Sequence, residues 1–347
     1  MTTFDLLLIG YGNVARRFAA LLEERRGMLA AGYGMRARIV GIATRRDGAR
    51  YVVRGFGRTR AGSTAAFIRE ACARDRAAAR GGRLVMIETT TLDIERGEPA
   101  VTHVRAALAG GTHVVTANKG PAAFAYSRLM RSAARAHRRF LFEGAVMDGV
   151  PVFNLAREAL PAVDVTGFRG VVNSTTNYIL TAMEQGRAFG DALAEMQARG
   201  IAEADASLDV DGWDAAAKTA ALANVLLGAD ITPHDVERVG ISEATAPRAV
   251  EARAAGRRLK LVVRGARNGR RVVARVAPES LADDDVLARL EGQQNALVLQ
   301  TDLLEEIAIV QRGGGLAQTA YALLSDLITI ARATPPARRS TRRRRSP

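Results

Sequence analysis

Residues 4–15, FDLLLIGYGNVA, restrict the fold more than any other part of the chain. An apolar run stops at Gly10, and GYGNVARRFAALLEER follows with Val14, Phe18, Leu21 and Leu22 at helical spacing. A strand that turns directly into a helix on two glycines is the opening unit of a parallel α/β layer. Gly10, Gly12 and Ala15 give the pattern GxGxxA. The first glycine permits the tight turn and the second lets the backbone approach a pyrophosphate. The small third residue allows the helix to pack closely on the strand. Asn13 and Val14 fall at the start of that helix, where free N–H groups and a partial positive charge face an anion. Glycine-rich turns are common, so the motif alone is weak. Its place within a strand–turn–helix makes it an argument for a dinucleotide site.

Further strands are expected at 38–43 (RIVGIA), 84–88 (LVMIE) and 112–116 (THVVT), with a helix over 99–109. This alternation predicts a parallel sheet with crossover helices. Beyond about residue 145, strand-like stretches at 165–172, 259–264 and 271–276 alternate with alanine-rich helices such as 214–227. The expected fold class is therefore α/β, with a dinucleotide-binding domain over 1–145 and a second α/β domain over 146–310. A helix over 317–332, preceded by Gly313–Gly315, is expected to return to the first domain, so that 311–332 completes it. The connection 27–37 (GMLAAGYGMRA) reads as a flexible insert. The second strand ends in Thr44-Arg45-Arg46, with no acid before Asp47 to bind a ribose hydroxyl. Arg45 and Arg46 can instead pair with a 2′-phosphate, which favours NADP over NAD. Surface arginines in an Arg-rich protein are nearly as good an account.

Composition removes several other classes. No run approaches the eighteen apolar residues of a membrane span. The opening MTTFDLLLIG lacks a basic leader and a small-residue cleavage site, and so reads as a buried strand. A single cysteine, Cys72, excludes an internal disulfide framework and fits a reducing, cytoplasmic setting. Its surroundings, REACARD, offer no histidine, which argues against a thiol-dependent aldehyde dehydrogenase. His103, His113, His137 and His234 lack ligand spacing and read as structural. The net charge is +14, but residues 333–347 hold six arginines and no acid, which leaves +8 for the rest. That tail is expected to be disordered, with at most weak, salt-sensitive polyanion binding. The other arginines form no stripe interleaved with aromatics, so no specific nucleic-acid partner is expected. Of the 50 basic residues only Lys119, Lys218 and Lys260 are lysines. Lysine can give up a proton when its pKa is lowered, whereas arginine in practice cannot.

Three segments go beyond a generic dinucleotide fold: THVVTANKGP at 112–121, GVVNSTTNYIL at 170–180 and GIAEADASLDVDGWDAAAK at 200–218. In this order they resemble the homoserine dehydrogenase family, and the resemblance runs from Gly10 to about Arg332. It implies a Rossmann-type dinucleotide-binding domain, a second α/β domain for substrate and dimerisation, and hydride transfer between a nicotinamide and aspartate semialdehyde or homoserine. Lys218 corresponds to the family's proton donor, and Lys119 to the lysine beside nicotinamide and substrate. Glu203 and Asp214 correspond to acids that bind the amino acid, and Asp209 lies in the same acidic stretch. Thr89, Thr90, Gly200 and Gly315 match cofactor contacts. The residue types suit the chemistry. Reducing an aldehyde builds charge on oxygen, which needs a cation and a proton, and burial or a neighbouring cation is expected to lower the pKa of such a lysine. Carboxylates suit the substrate ammonium, while Ser174, Thr175 and Thr176 offer donors to its carboxylate. In isolation, an Asp214–Lys218 pair four residues apart is more often a surface ion pair, and the acids more often a helix-capping region.

The resemblance also implies a monovalent cation such as Na⁺, held mainly by main-chain oxygens of Glu143, Val146, Asp148 and Val150. Many relatives have small residues at the positions of Met147 and Asp148, and glycine at that of Ser174. Asp148 either strengthens the cation site or makes the ion unnecessary. The resemblance implies a homodimer. The chain ends soon after the returning helix, so weak or absent feedback by threonine is expected. Two other readings stay open: a related dehydrogenase acting on a different amino or hydroxy acid, and a nucleotide-binding paralogue without turnover.

Overall fold

The computed structural model describes residues 1–53, 57–78, 83–199, 205–269 and 271–334. β1 (Thr2–Ile9) is buried on both faces and leads through the Gly10–Gly12 turn into α1 (Asn13–Glu24). α2 (Arg26–Tyr33), β2 (Met35–Thr44) and β3 (Gly48–Tyr51) follow, then α3 (Thr64–Ala77), β4 (Leu84–Glu88), α4 (Ala100–Ala109), β5 (His113–Thr116), α5 (Gly120–Arg135) and β6 (Phe140–Leu141). These six strands lie in the order β3-β2-β1-β4-β5-β6, all parallel except the β2–β3 hairpin. The chain leaves β1 toward β2 on one side and reaches β4 on the other. The carboxyl ends of β1 and β4 therefore flank a crevice where the strand order reverses, the place such sheets bind ligands.

The expected flexible insert at 27–37 is instead α2 and the start of β2. Leu29 and Met35 are buried and anchor the segment, and Leu-Ala-Ala favours helix. Three glycines in eight residues obscured this.

α6 (Val152–Asn154) leads to the second sheet. Its strands are β7 (Val165–Val171), β8 (Glu237–Arg238), β9 (Arg257–Asn268), β10 (Arg271–Ala282), β11 (Asn295–Thr301) and β12 (Glu306–Gln311). They lie in the order β12-β11-β7-β9-β10-β8 and are antiparallel except for β8. Between them run α7 (Ser174–Met183), α8 (Phe189–Ala198), α9 (Ser207–Val210), α10 (Trp213–Leu226) and α11 (Ala246–Ala254). α10 is largely alanine on its buried faces, so it approaches α5 closely and links the two sheets. Asn224 reinforces that seam, donating to the Ala122 and Ala123 carbonyls of α5 at 3.0 and 3.3 Å. α12 (Leu316–Ala333) packs on α1, with Leu323, Leu324, Leu327 and Ile330 meeting Phe18, Leu21 and Leu22. No helix among the described residues is long and apolar enough to cross a membrane.

Candidate active site

The turn after β1 fits a phosphate-bearing ligand. Gly10 has φ +84°, and a Cβ there would lie 2.7 Å from the Thr89 carbonyl oxygen, so only glycine is accommodated. Thr89 closes the seam by donating from its N–H to the Ile9 carbonyl at 2.8 Å and from Oγ1 to that of Gly10 at 3.2 Å. Gly12 has no heavy atom within 4 Å of a built Cβ, and no side chain caps α1. The first N–H groups of Asn13 and Val14 thus face an open surface, while Ala15 is fully buried against the sheet. Arg45 and Arg46 stand exposed in the turn between β2 and β3.

Glu88, fully buried at the end of β4, organises the adjoining loops. Its carboxylate accepts from the Thr90 N–H at 3.0 Å, the Thr90 hydroxyl, and the Thr116 hydroxyl at 2.9 Å. Asn118 then joins the 89–91 and 116–120 loops: its amide donates to the Thr90 and Thr91 carbonyls at 2.9 and 3.2 Å and accepts from the Gly120 N–H at 2.8 Å. Lys119, on the tip so fixed, projects across to α10.

There, two lysines meet one carboxylate. Lys119 Nζ lies 3.1 Å from Asp214 Oδ1, and Lys218 Nζ lies 2.8 Å from Asp214 Oδ2. Lys218 also donates to the Val172 carbonyl at 2.6 Å. Gly212, at φ +80°, turns the chain from α9 into α10 and sets Asp209 beside Asp214. Asn173 Nδ2 donates to both acids, at 2.7 and 3.0 Å, while its Oδ1 accepts from the Thr176 N–H and caps α7.

The electrostatics follow from this crowding. Burial works to raise the Asp214 pKa, but Lys119 and Lys218 hold it well below the usual carboxylate range. At Asp209, burial followed by the Asp214 charge outweighs Asn173 and Lys218 and pushes its pKa up. Lys218 runs against the expectation of a lowered pKa: burial lowers it, but Asp214 more than offsets this and the net shift is upward. Lys218 is therefore held in its protonated form by Asp214. An ion pair at 2.8 Å outweighs desolvation of a side chain that is still 15% exposed.

A family model described as homoserine dehydrogenase matches residues 151–328. The NAD(+)-dependent homoserine dehydrogenase of Pseudomonas canavaninivorans is 37% identical, covering 95% of this chain and 97% of the relative. The chain belongs to the homoserine dehydrogenase family. Consistently, the homoserine dehydrogenase of Sulfurisphaera tokodaii is 34% identical over 94% of this chain and 98% of its own. The solved structure of a homoserine dehydrogenase from Thiobacillus denitrificans superposes with a TM-score of 0.78 at 27% identity, covering 95% of this chain and 73% of that one. As a homoserine dehydrogenase, the protein is an oxidoreductase of the CH–OH group that uses a nicotinamide dinucleotide and interconverts homoserine and aspartate semialdehyde.

Within this homoserine dehydrogenase, Lys119, Lys218, Asp209 and Asp214 come together as described, and Thr175 lies at the first turn of α7 beside them. Ser174 is adjacent, but its hydroxyl donates to the Gln293 carbonyl at 3.0 Å. The Thr176 hydroxyl is likewise turned back on Asn173. Gly200 and Glu203 lie outside the described residues. Asn173, Asn118 and Glu88 are the organising groups that motif reading passed over. An asparagine directly before Ser-Thr-Thr at a strand–helix junction is the signal that identifies the first of them.

Proposed function

We propose that the crevice at the carboxyl ends of β1, β4 and β5, faced by α7 and α10, is where homoserine and aspartate semialdehyde are interconverted. The convergence of Lys119 and Lys218 on Asp214 supports this most directly. Gly10, Gly12, Asn13, Val14 and Ala15 would hold the pyrophosphate, with Thr89, Thr90, Gly200 and Gly315 around the nicotinamide half. When bound, the dinucleotide supplies or accepts the hydride. Lys218 gives its proton to the carbonyl oxygen as charge builds there, and takes it back in homoserine oxidation. Lys119 adds a second positive charge at the same oxygen. Asp214 already accepts from both lysines and Asn173, so Asp209 is better placed than Asp214 to receive the substrate ammonium, with Glu203 as the second acid the family resemblance assigns to it. First-turn N–H groups of Ser174 and Thr175 face its carboxylate, since they lack intrahelical acceptors. The proposed division of labour follows: 1–145 with 311–332 for the dinucleotide, 146–310 for the amino acid.

The cation site is also a proposal. The Asp148 carboxylate is taken up by Gln311, Gly315 and Thr319, so a monovalent cation here would rely on main-chain oxygens of Glu143, Val146, Asp148 and Val150. Of these, the Val150 carbonyl already accepts from the Val152 N–H at 2.8 Å.

The deciding assay follows nicotinamide absorbance with purified protein, homoserine and either NADP or NAD. Turnover with homoserine is the expected result, and its absence with both cofactors would overturn the proposal. Exposed Arg45 and Arg46 favour NADP. An Arg45→Ala/Arg46→Ala variant is expected to raise KM for NADP about tenfold, as loss of one charge-assisted contact would, and to leave KM for NAD unchanged. Equal effects on both cofactors would make these arginines ordinary surface residues.

We also read a homodimer, supported by apolar side chains exposed on the second sheet and its β11–β12 turn, among them Val273, Leu303, Leu304 and Val310. Sedimentation equilibrium is expected to give twice the chain mass. A monomer at micromolar concentration would refute it.

A further inference from the structure

A chain of hydrogen bonds runs from the head of α12 to the head of α7, and its direction is dictated at one end. Asp148 sits at φ +49° in the loop after β6. Its Oδ2 accepts from the Gly315 N–H at 3.1 Å and its Oδ1 from the Thr319 hydroxyl at 2.9 Å. Oδ2 also accepts from Gln311 Nε2 at 3.2 Å. Gln311 Oε1 accepts from Asn295 Nδ2 at 3.3 Å, and the same Nδ2 donates to Ser174 Oγ at 2.9 Å. Ser174 passes its own proton to the Gln293 carbonyl at 3.0 Å.

A carboxylate only accepts, so Gln311 must turn its nitrogen to Asp148 and its oxygen to Asn295. Asn295 must in turn present its nitrogen, which leaves Ser174 as acceptor there and donor to Gln293. Both amide side chains are 5% exposed, so water offers little relief from this ordering. The cost is visible: Asn295 Oδ1 is buried without a hydrogen-bond partner among the described residues. Neither end of the chain is remote from the chemistry. Ser174 follows Asn173, which holds Asp209 and Asp214, and Gly315, at the head of α12, is proposed above to lie beside the nicotinamide half.

We propose that Asp148, Gln311, Asn295 and Ser174 form a polarised relay that locks the Gly313–Gly315 turn to the N-terminus of α7, setting the cofactor and substrate sides of the cleft in register. Asp148 and Gln311 are positioning residues. Their role in catalysis rests on the site proposed above, but the relay itself is testable without ligand.

Asp148→Asn is the discriminating variant. It keeps shape but can donate, so the relay is free to reverse, which would satisfy Asn295 Oδ1 and deprive Ser174 of its donor. Backbone hydrogen exchange on the ligand-free protein reads the result at both ends. The expected outcome is faster exchange over 313–319 and also over 292–295. Gln311→Met cuts the middle while sparing the Asp148 contacts to Gly315 and Thr319. It should speed exchange over 292–295 and protect 313–319 nearly as in the wild type. In a cycle of Asp148→Asn with Ser174→Gly, the combined change in dinucleotide Kd, measured by Trp213 fluorescence, should depart from the product of the singles by about threefold or more. Exchange changes confined to 313–319, or effects that multiply without coupling, would reduce Asp148 to a local cap of α12 and overturn the relay. If Asp148→Asn fails to fold, Gln311→Met still decides, because unchanged exchange over 292–295 in that variant would overturn the relay; if Gln311→Met fails, Asp148→Asn decides by exchange at the end distant from its substitution. Intact exchange coupling without homoserine turnover would sink the functional proposal and leave the relay standing.

Discussion

Lys218→Ala is expected to lower kcat for homoserine oxidation about 10³-fold, the scale of losing a general acid–base together with a charge at the reacting oxygen. The dinucleotide Kd should change little, because Lys218 is anchored to Val172 and Asp214 on the substrate side of the cleft. Lys218→Arg separates the two contributions. Arginine keeps the charge but does not release a proton at accessible pH, so it should recover little of the lost rate. Steady-state nicotinamide absorbance with both variants checks this. An arginine variant within about tenfold of wild type would mean that Lys218 supplies charge and not a proton, and would move the proton-transfer role elsewhere.

The sequence carried the parts of the fold whose residues have few alternatives. The Gly10–Ala15 turn, the alanine-rich α10 and the return of α12 were legible because turn chemistry and a strong helical period agree there. β3, β11 and β12 were not. β11 is a short buried run, and β12 alternates weakly at a sheet edge beside exposed Leu303 and Leu304. The charged residues of the candidate site announced themselves, above all two lysines in an arginine-dominated chain that converge on Asp214. The neutral groups that aim them did not, since Asn118 and Asn173 act through buried amides whose partners are distant in sequence. Nor could spacing reveal that Lys119 reaches the same carboxylate as Lys218, 99 positions further along the chain. The Asp214–Lys218 ion pair is what turns the expected direction for Lys218 around.

Asp214→Asn is expected to destabilise the protein by about 3–5 kcal/mol at neutral pH, the usual cost of stripping the partner from a buried ion pair. Two ammonium groups would be left facing one another, with Asp148 and Asp209 the remaining acids that act on Lys218 among the described residues. The sign of the pH dependence is fixed by the directions of the two shifts. Asp214 is held below its ordinary pKa, so its contribution is present above pH ~3.8 and fades as pH falls through the lower folded value. Lys218 is held above its ordinary value, so its contribution is present below pH ~10.5 and fades as pH rises through the higher folded one. Denaturant unfolding of wild type and variant should therefore differ most between those limits and converge toward either extreme. Catalysis should show the same linkage. In the proposed mechanism homoserine oxidation needs Lys218 neutral, and in the wild type that requires alkaline conditions, so the rate should climb into the alkaline range. In Asp214→Asn, burial acts on Lys218 without its main counterweight, and the climb should move to lower pH even as the maximal rate falls. A profile that keeps its wild-type midpoint would show that Asp214 does not govern the Lys218 proton, and the charge arrangement proposed for this site would have to be abandoned.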